Sequence, residues 1–166
     1  MHKKIFIVIA ILCVAAVVQV HAIGLGAQLN FSVGGDILAP GFSVVICPSE
    51  RQHIAVNWFL DLKNDDSANI VGLTWDLLPL RLKIVEALRF NLGVGFYANL
   101  VFAEDPKFNI TGGIRFPVGL SFLLGNNFEI YTHVAPSLGI DFLPKLTFER
   151  PFFPIALGAK VWLGRR

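Results

Sequence analysis

Leu88-Arg-Phe-Asn-Leu-Gly-Val-Gly-Phe-Tyr-Ala-Asn-Leu-Val-Phe102 decides how this chain folds. Its even positions are Leu88, Phe90, Leu92, Val94, Phe96, Ala98, Leu100 and Phe102. Its odd positions are Arg89, Asn91, Gly93, Gly95, Tyr97, Asn99 and Val101. Successive side chains of a β-strand point to opposite faces, so the segment predicts one apolar face and one polar or small face. A helix of period 3.6 would scatter both sets around its circumference.

The segments that follow repeat the pattern. In 109–123, Ile110, Ile114, Phe116, Val118, Leu120 and Phe122 alternate with Asn109, Thr111, Gly113, Arg115, Gly119 and Ser121. In 127–143, Phe128, Ile130, Val134, Leu138, Ile140 and Phe142 stand opposite Asn127, Glu129, Tyr131, His133, Ser137, Gly139 and Asp141. In 153–164, Phe153, Ile155, Leu157, Ala159, Val161 and Leu163 alternate with Ala156, Gly158, Lys160 and Trp162. Working toward the N-terminus, 23–33, 38–46, 53–62 and 69–80 show weaker versions, which brings the expected number of strands to eight. Gly34-Gly35-Asp36, Pro48-Ser49-Glu50, Asn64-Asp65-Asp66, Glu104-Asp105-Pro106 and Gly125-Asn126-Asn127 supply turns. Connections this short make consecutive strands antiparallel neighbours. Leu80–Ala87 and Lys145–Pro151 are expected to be the longest irregular pieces.

Composition sets the surroundings. The 166 residues have a mean hydropathy of +0.62 and only 16% charged residues. After residue 22, however, no apolar run is long enough for a membrane helix. The N-terminus reads as an export signal: a basic head Met1-His-Lys-Lys4, an apolar body Ile5–Val18, and Ala22 at the cut. The expected organisation is a signal peptide at 1–22 and an outer-membrane β-barrel at 23–166. Leu12 before Cys13 argues against a lipoprotein. Removal of the signal leaves Cys47 as the single thiol, which excludes an internal disulfide. The net charge of +2, with no basic run, gives no sign of nucleic-acid binding.

Alternation also describes a soluble exported, lipocalin-like barrel, so the choice turns on which face is buried. An eight-stranded barrel has a lumen only wide enough for side chains. The bulky Phe, Leu and Ile set of every strand cannot fit inside it, whereas the Gly, Ser and Asn set can. The apolar face therefore points outward, which requires hydrocarbon around it, and a closed barrel in a bilayer leaves no backbone group unpaired. Outward Phe31, Trp58, Trp75, Phe102, Phe128, Phe142 and Phe153 are expected at the membrane interfaces. Pro40, Pro79 and Pro154 fit strand ends or bulges; Pro117 and Pro136, inside strands, call for a local bulge.

This architecture resembles the small eight-stranded barrels of the OmpA transmembrane domain, OmpX and OmpW, over the whole chain after the signal. Gly113-Ile-Arg-Phe-Pro-Val-Gly-Leu-Ser-Phe122, followed by Phe128-Glu-Ile-Tyr131 and Ala135-Pro136, is similar to small barrel proteins of spirochaetes. The resemblance implies an outer-membrane location and surface interactions, and no chemistry. Its departure is the end, Trp162-Leu163-Gly164-Arg165-Arg166, where the aromatic residue read by the insertion machinery is set back and inward.

The candidate interior residues are Asp76, Arg89, Arg115, Glu129 and Lys160, expected to fill the lumen as an ion-paired structural network, with Asp61, Asp141 and His133 also inward. A lone buried charge is too costly to leave unpaired. No catalytic, cofactor or metal residues are assigned. His133 and Ser137 share a face but sit ~13 Å apart at ~3.3 Å per residue. His53 and His133 lie on different strands without further ligands beside them. The expected partners are outer-membrane lipid and a surface ligand held by short loops. A structural or surface-interaction role is expected; the alternative is a narrow conduit for small hydrophobic molecules, as in OmpW-like barrels. Register arguments align Arg115 with Gly95, Arg89 with Ser121, Ser121 with Glu129, and Asp76 with Gly93. They pair Arg115 with Asp76 and Arg89 with Glu129. Inward glycines such as Gly119 are read as free space that would accept serine.

Overall fold

The computed structural model describes residues 22–34, 39–61, 68–102, 109–142 and 146–164. Its strands are β1 (Ile23–Gly34), β2 (Ala39–Ser49), β3 (Gln52–Asp61), β4 (Ala68–Lys83), β5 (Leu88–Phe102), β6 (Asn109–Arg115), β7 (Val118–Leu124), β8 (Phe128–Val134), β9 (Ser137–Asp141), β10 (Thr147–Phe148) and β11 (Phe152–Leu163). All ladders are antiparallel, and β1 pairs with β11 from Ile23↔Leu163 to Gly34↔Phe152, which closes the ring. β6 continues into β7, β8 into β9, and β10 into β11. The ring therefore consists of eight long strands joined as a meander. The proposed signal segment and the turns expected around Asp36, Asp65 and Asp105 lie outside the described residues.

Burial follows the alternation. On β5 the odd residues Asn91 to Tyr97 are buried, and the even residues Leu92 to Ala98 are exposed. Among the described residues the exposed apolar side chains circle the barrel, from Leu29, Val44 and Trp58 round to Phe96, Leu138 and Val161. The buried set is rich in polar and charged groups, Gln28, Asn30, Ser43, His53, Asn57, Asp76, Arg115, Glu129 and Lys160 among them, beside a small apolar cluster of Ala22, Val45, Cys47, Ala55 and Trp162. This is the inverse of a water-soluble core, and it arises because the lumen holds the small and polar face.

Several expectations need correcting. Leu80–Lys83 are strand rather than loop, and the turn comprises only 84–87. Opposite Gly93 the β4–β5 register shifts between Leu77 and Leu80, a bulge that contains Pro79. Because the bulge inserts one residue, the inward side changes from even numbers (Asp76) to odd ones (Arg81). Inside 145–151, Thr147 and Phe148 continue the last long strand, pairing with Asp141 and Ile140. In the next hairpin Ser121 stands opposite Tyr131, not Glu129, because the turn is Gly125-Asn126-Asn127 with Gly125 at φ 65°. A slip of two residues preserves facing, so alternation does not detect it. Likewise Asp76 stands opposite Gly95, not Gly93.

Pro117 and Pro136 are not bulged. The register of β6 on β9 continues unchanged into β7 on β8. Gly93 N–H donates to Pro117 C=O at 2.9 Å, Phe116 N–H to Pro136 C=O at 2.9 Å, and Ala135 N–H to Pro154 C=O at 2.8 Å. Each of these close pairs would normally exchange two bonds, and the proline cannot return one. The three half-pairs form an oblique row across successive strands. The carbonyl of Ala135 recovers a donor from Ser137 Oγ at 2.8 Å.

Candidate functional site: the barrel interior

The inward residues meet in three layers. At the end where β1 begins and β11 terminates, Glu129 and Lys160 are ladder partners, with Nζ 3.3 Å from Oε1. Arg81 Nη2 lies 3.3 Å from the same oxygen, and Trp162 Nε1 donates to Oε2 at 2.9 Å. Glu129 is 1% exposed and Trp162 fully enclosed, so the two groups stopper this end of the lumen. Glu50 Oε2 receives Arg81 at 3.2 Å and Arg89 at 2.9 Å. Arg81 Nε also donates to Asn91 Oδ1 at 2.9 Å. The charges thus run Arg89–Glu50–Arg81–Glu129–Lys160. Arg89 is joined to Glu50 rather than to Glu129, because the register places Tyr131 across from Ser121. Arg81 and Glu50, which link the chain, escaped the sequence reading. Arg81 lies beyond the bulge that reverses parity, and Glu50 sits in a turn.

In the middle layer Arg115 Nε lies 3.1 Å from Asp76 Oδ1, a charge contact without hydrogen-bond alignment. Both residues flank Gly95 in the ladders. A Cβ on Gly95 would lie 2.1 Å from Asp76 Oδ1, so the glycine is what lets the carboxylate lie over the strand. Arg115 Nη2 also reaches His133 Nε2 at 3.2 Å. His133 stacks on Tyr131 at 6.0 Å and meets His53 edge-on at 5.6 Å, so the two histidines converge across the lumen despite lying on different strands. His53 Nε2 is 3.2 Å from Gln28 Oε1, which also accepts from Tyr131 OH at 2.8 Å. From Gln28 a chain of amides and hydroxyls continues through Asn30, Ser43 and Asn57.

The layer at the opposite end is looser. Tyr97 OH donates to Glu149, Asn109 Nδ2 donates to Asp141 at 3.2 Å, and Phe152 packs edge-on against Tyr97 at 5.3 Å. The side chain of Asp61 is outside the described residues. Cys47 Sγ is buried 3.8 Å from His53 Nδ1 and 3.8 Å from Lys160 Nζ. Among the described residues no three His, Cys, Asp or Glu side chains are grouped to hold a metal. Two voids remain. One of about 20 Å³ lies among His53, Asp76, Arg81, Glu129 and Lys160, and one of about 30 Å³ among Asn57, Thr74, Tyr97 and Ser137. Each has room for roughly one or two waters. His133 borders both.

A closed ring of eight antiparallel strands, apolar outside and polar inside, is matched among solved structures. The N-terminal β-barrel domain of Pseudomonas aeruginosa OprF superposes with a TM-score of 0.55 at 13% identity, covering 86% of this chain and 98% of that one. Neisserial surface protein A (NspA) gives 0.58 at 12% identity, covering 84% and 95%. This is the fold of the small eight-stranded outer-membrane barrels. No protein-family model matches the sequence, and no curated protein matches it. For a barrel of this type the apolar outer wall and the ion-paired lumen are two results of one alternation, since bulky side chains go out and charges go in.

Proposed function

We propose that the chain is an outer-membrane protein with a structural or surface-interaction role and a lumen closed to solutes, exported by a signal peptide cut after Ala22. The observation that carries this reading is the stack of ion-paired layers, with Arg115, Asp76 and His133 crossing the lumen between two voids of about 20 and 30 Å³. Voids of that size hold water and exclude any organic solute. The outward apolar belt supports membrane lipid as one partner. A surface ligand would meet the loops at the end away from the start of β1, whose tips lie outside the described residues. We assign no catalytic or cofactor role: His53, His133 and Cys47 are engaged inside the barrel with Gln28, Arg115 and Lys160.

The narrow-conduit reading is less well supported. It needs an apolar pocket at a mouth of the lumen, and the end away from the start of β1 is lined instead by Tyr97, Glu149, Asp141 and Asn109. The soluble, lipocalin-like reading would place Leu29, Val44 and Phe96 in water. Planar-bilayer recording on the purified protein tests the closed lumen. The expected trace has no resolved conductance steps; reproducible steps that vanish on boiling would overturn it.

A further inference from the structure

The outer wall carries a hollow as well as a belt. At one level, outward positions run Leu73, Ala98, Gly112, Ile140 and Phe148 across neighbouring strands. The small pair Ala98 and Gly112 interrupts an otherwise bulky face. Phe142 leans over the glycine, so that a Cβ on Gly112 would lie 3.2 Å from Phe142 Cε2. Phe96 and Phe148 form further walls, and Phe148 is 84% exposed. The result is a groove of about 570 Å³, within the ~300–1,000 Å³ range of ligand sites. Its lining is almost wholly carbon.

We propose that this groove binds one acyl chain of a bilayer lipid in a fixed position. The inference rests on the membrane reading above, since that places this wall in hydrocarbon. The shape selects the occupant. A second barrel presents a convex wall, and two convex walls touch along their bulky residues, leaving a recessed floor of Gly112 and Ala98 empty. A flexible methylene chain fills such a recess. The absence of charged groups from the lining suits a tail rather than a headgroup. The aromatic walls of Phe96, Phe142 and Phe148 gain dispersion contacts that a less closely fitting lipid would not give.

The test uses the full mature protein in phosphatidylglycerol vesicles containing the same lipid spin-labelled near the middle of one acyl chain. Ala98→Phe fills the floor, Phe148→Ala removes a wall, and Leu29→Phe changes an exposed residue on β1 that does not line the groove. Heat-modifiable migration on a gel first confirms that each variant is inserted and folded; failure of the wild type at this step would count against the membrane reading itself. The expected result is a strongly immobilised component in the spectra of wild type and Leu29→Phe that is lost in Ala98→Phe and reduced in Phe148→Ala. Equal immobilised fractions in all four proteins would overturn the proposal. So would a change in sedimentation on Ala98→Phe with no change in lipid mobility, which would put a second copy in the groove. If Ala98→Phe does not fold, Phe148→Ala decides alone, because its side chain supports no other part of the barrel.

Discussion

Asp76 and Arg115 form a buried pair whose members hold each other in place. The Arg115 and Asp76 side chains are 7% and 2% exposed, so replacing either one strands a charge in the lumen. Asp76→Ala or Arg115→Ala is expected to cost about 3–5 kcal/mol. The double variant should lose clearly less than the two singles combined. Urea unfolding of the lipid-inserted protein measures this, and strict additivity would show that the two groups do not interact. At Gly119 the sequence misleads. The position faces inward and reads as free space, yet a Cβ there would lie 2.1 Å from the Thr132 carbonyl oxygen and 2.6 Å from His133 Cβ. The glycine is required by the closeness of the adjacent strand, not by the lumen. Gly119→Ser should therefore destabilise by ~1–3 kcal/mol, and unchanged unfolding would mean that the neighbouring strand can withdraw.

Within the strands, facing was legible and register was not. Bulky and small residues alternate because one side lies on the open outer wall and the other in a narrow lumen, so a period of two carries the facing of Arg115, Glu129 and Lys160, all buried. Nothing in that period distinguishes Ser121 opposite Glu129 from Ser121 opposite Tyr131, and the expected partner of Arg89 was lost to that ambiguity. Bulges hid the rest. Past Pro79 the inward residue is Arg81, and Glu149 is inward on a last long strand that shifts by one residue between Phe148 and Phe152. Facing can be tested directly. Phe116→Arg places a charge on the outer wall and should cost ~2–4 kcal/mol if the site is near the midplane; a negligible effect on unfolding in vesicles would reverse the assignment of faces. The prolines permit a second test. Ser137 Oγ supplies the bond that Pro154 cannot return to Ala135, so Ser137→Ala should cost about 1–3 kcal/mol by leaving a buried carbonyl unsatisfied. Val134 carries no such burden, and Val134→Ile on the outer wall serves as the control. If the two variants unfold alike, the hydroxyl is not replacing the missing donor.

For the whole molecule, a ring closed from β1 to β11 has no free edge along that seam and should resist sodium dodecyl sulfate until boiled. Unboiled and boiled samples are expected to migrate differently, and mass spectrometry of the mature protein should find Ile23 as its first residue. Identical migration, or recovery without detergent, would remove the membrane reading.

The oblique row of prolines also gives the barrel a mechanical character. A tube laced by two bonds per close pair is stiff, whereas along Gly93–Pro117, Phe116–Pro136 and Ala135–Pro154 only one bond of each pair is present. Bending strain would concentrate at that line, as in a folded sheet along its crease, on the part of the ring between β5 and β11. The clasp of Asp76 on Arg115 lies next to this line, so a buried ion pair spans the place where the wall has lost cross-strand bonds. In the membrane proposed above, a bilayer that thins or thickens around the protein would then be met by flexing at this crease.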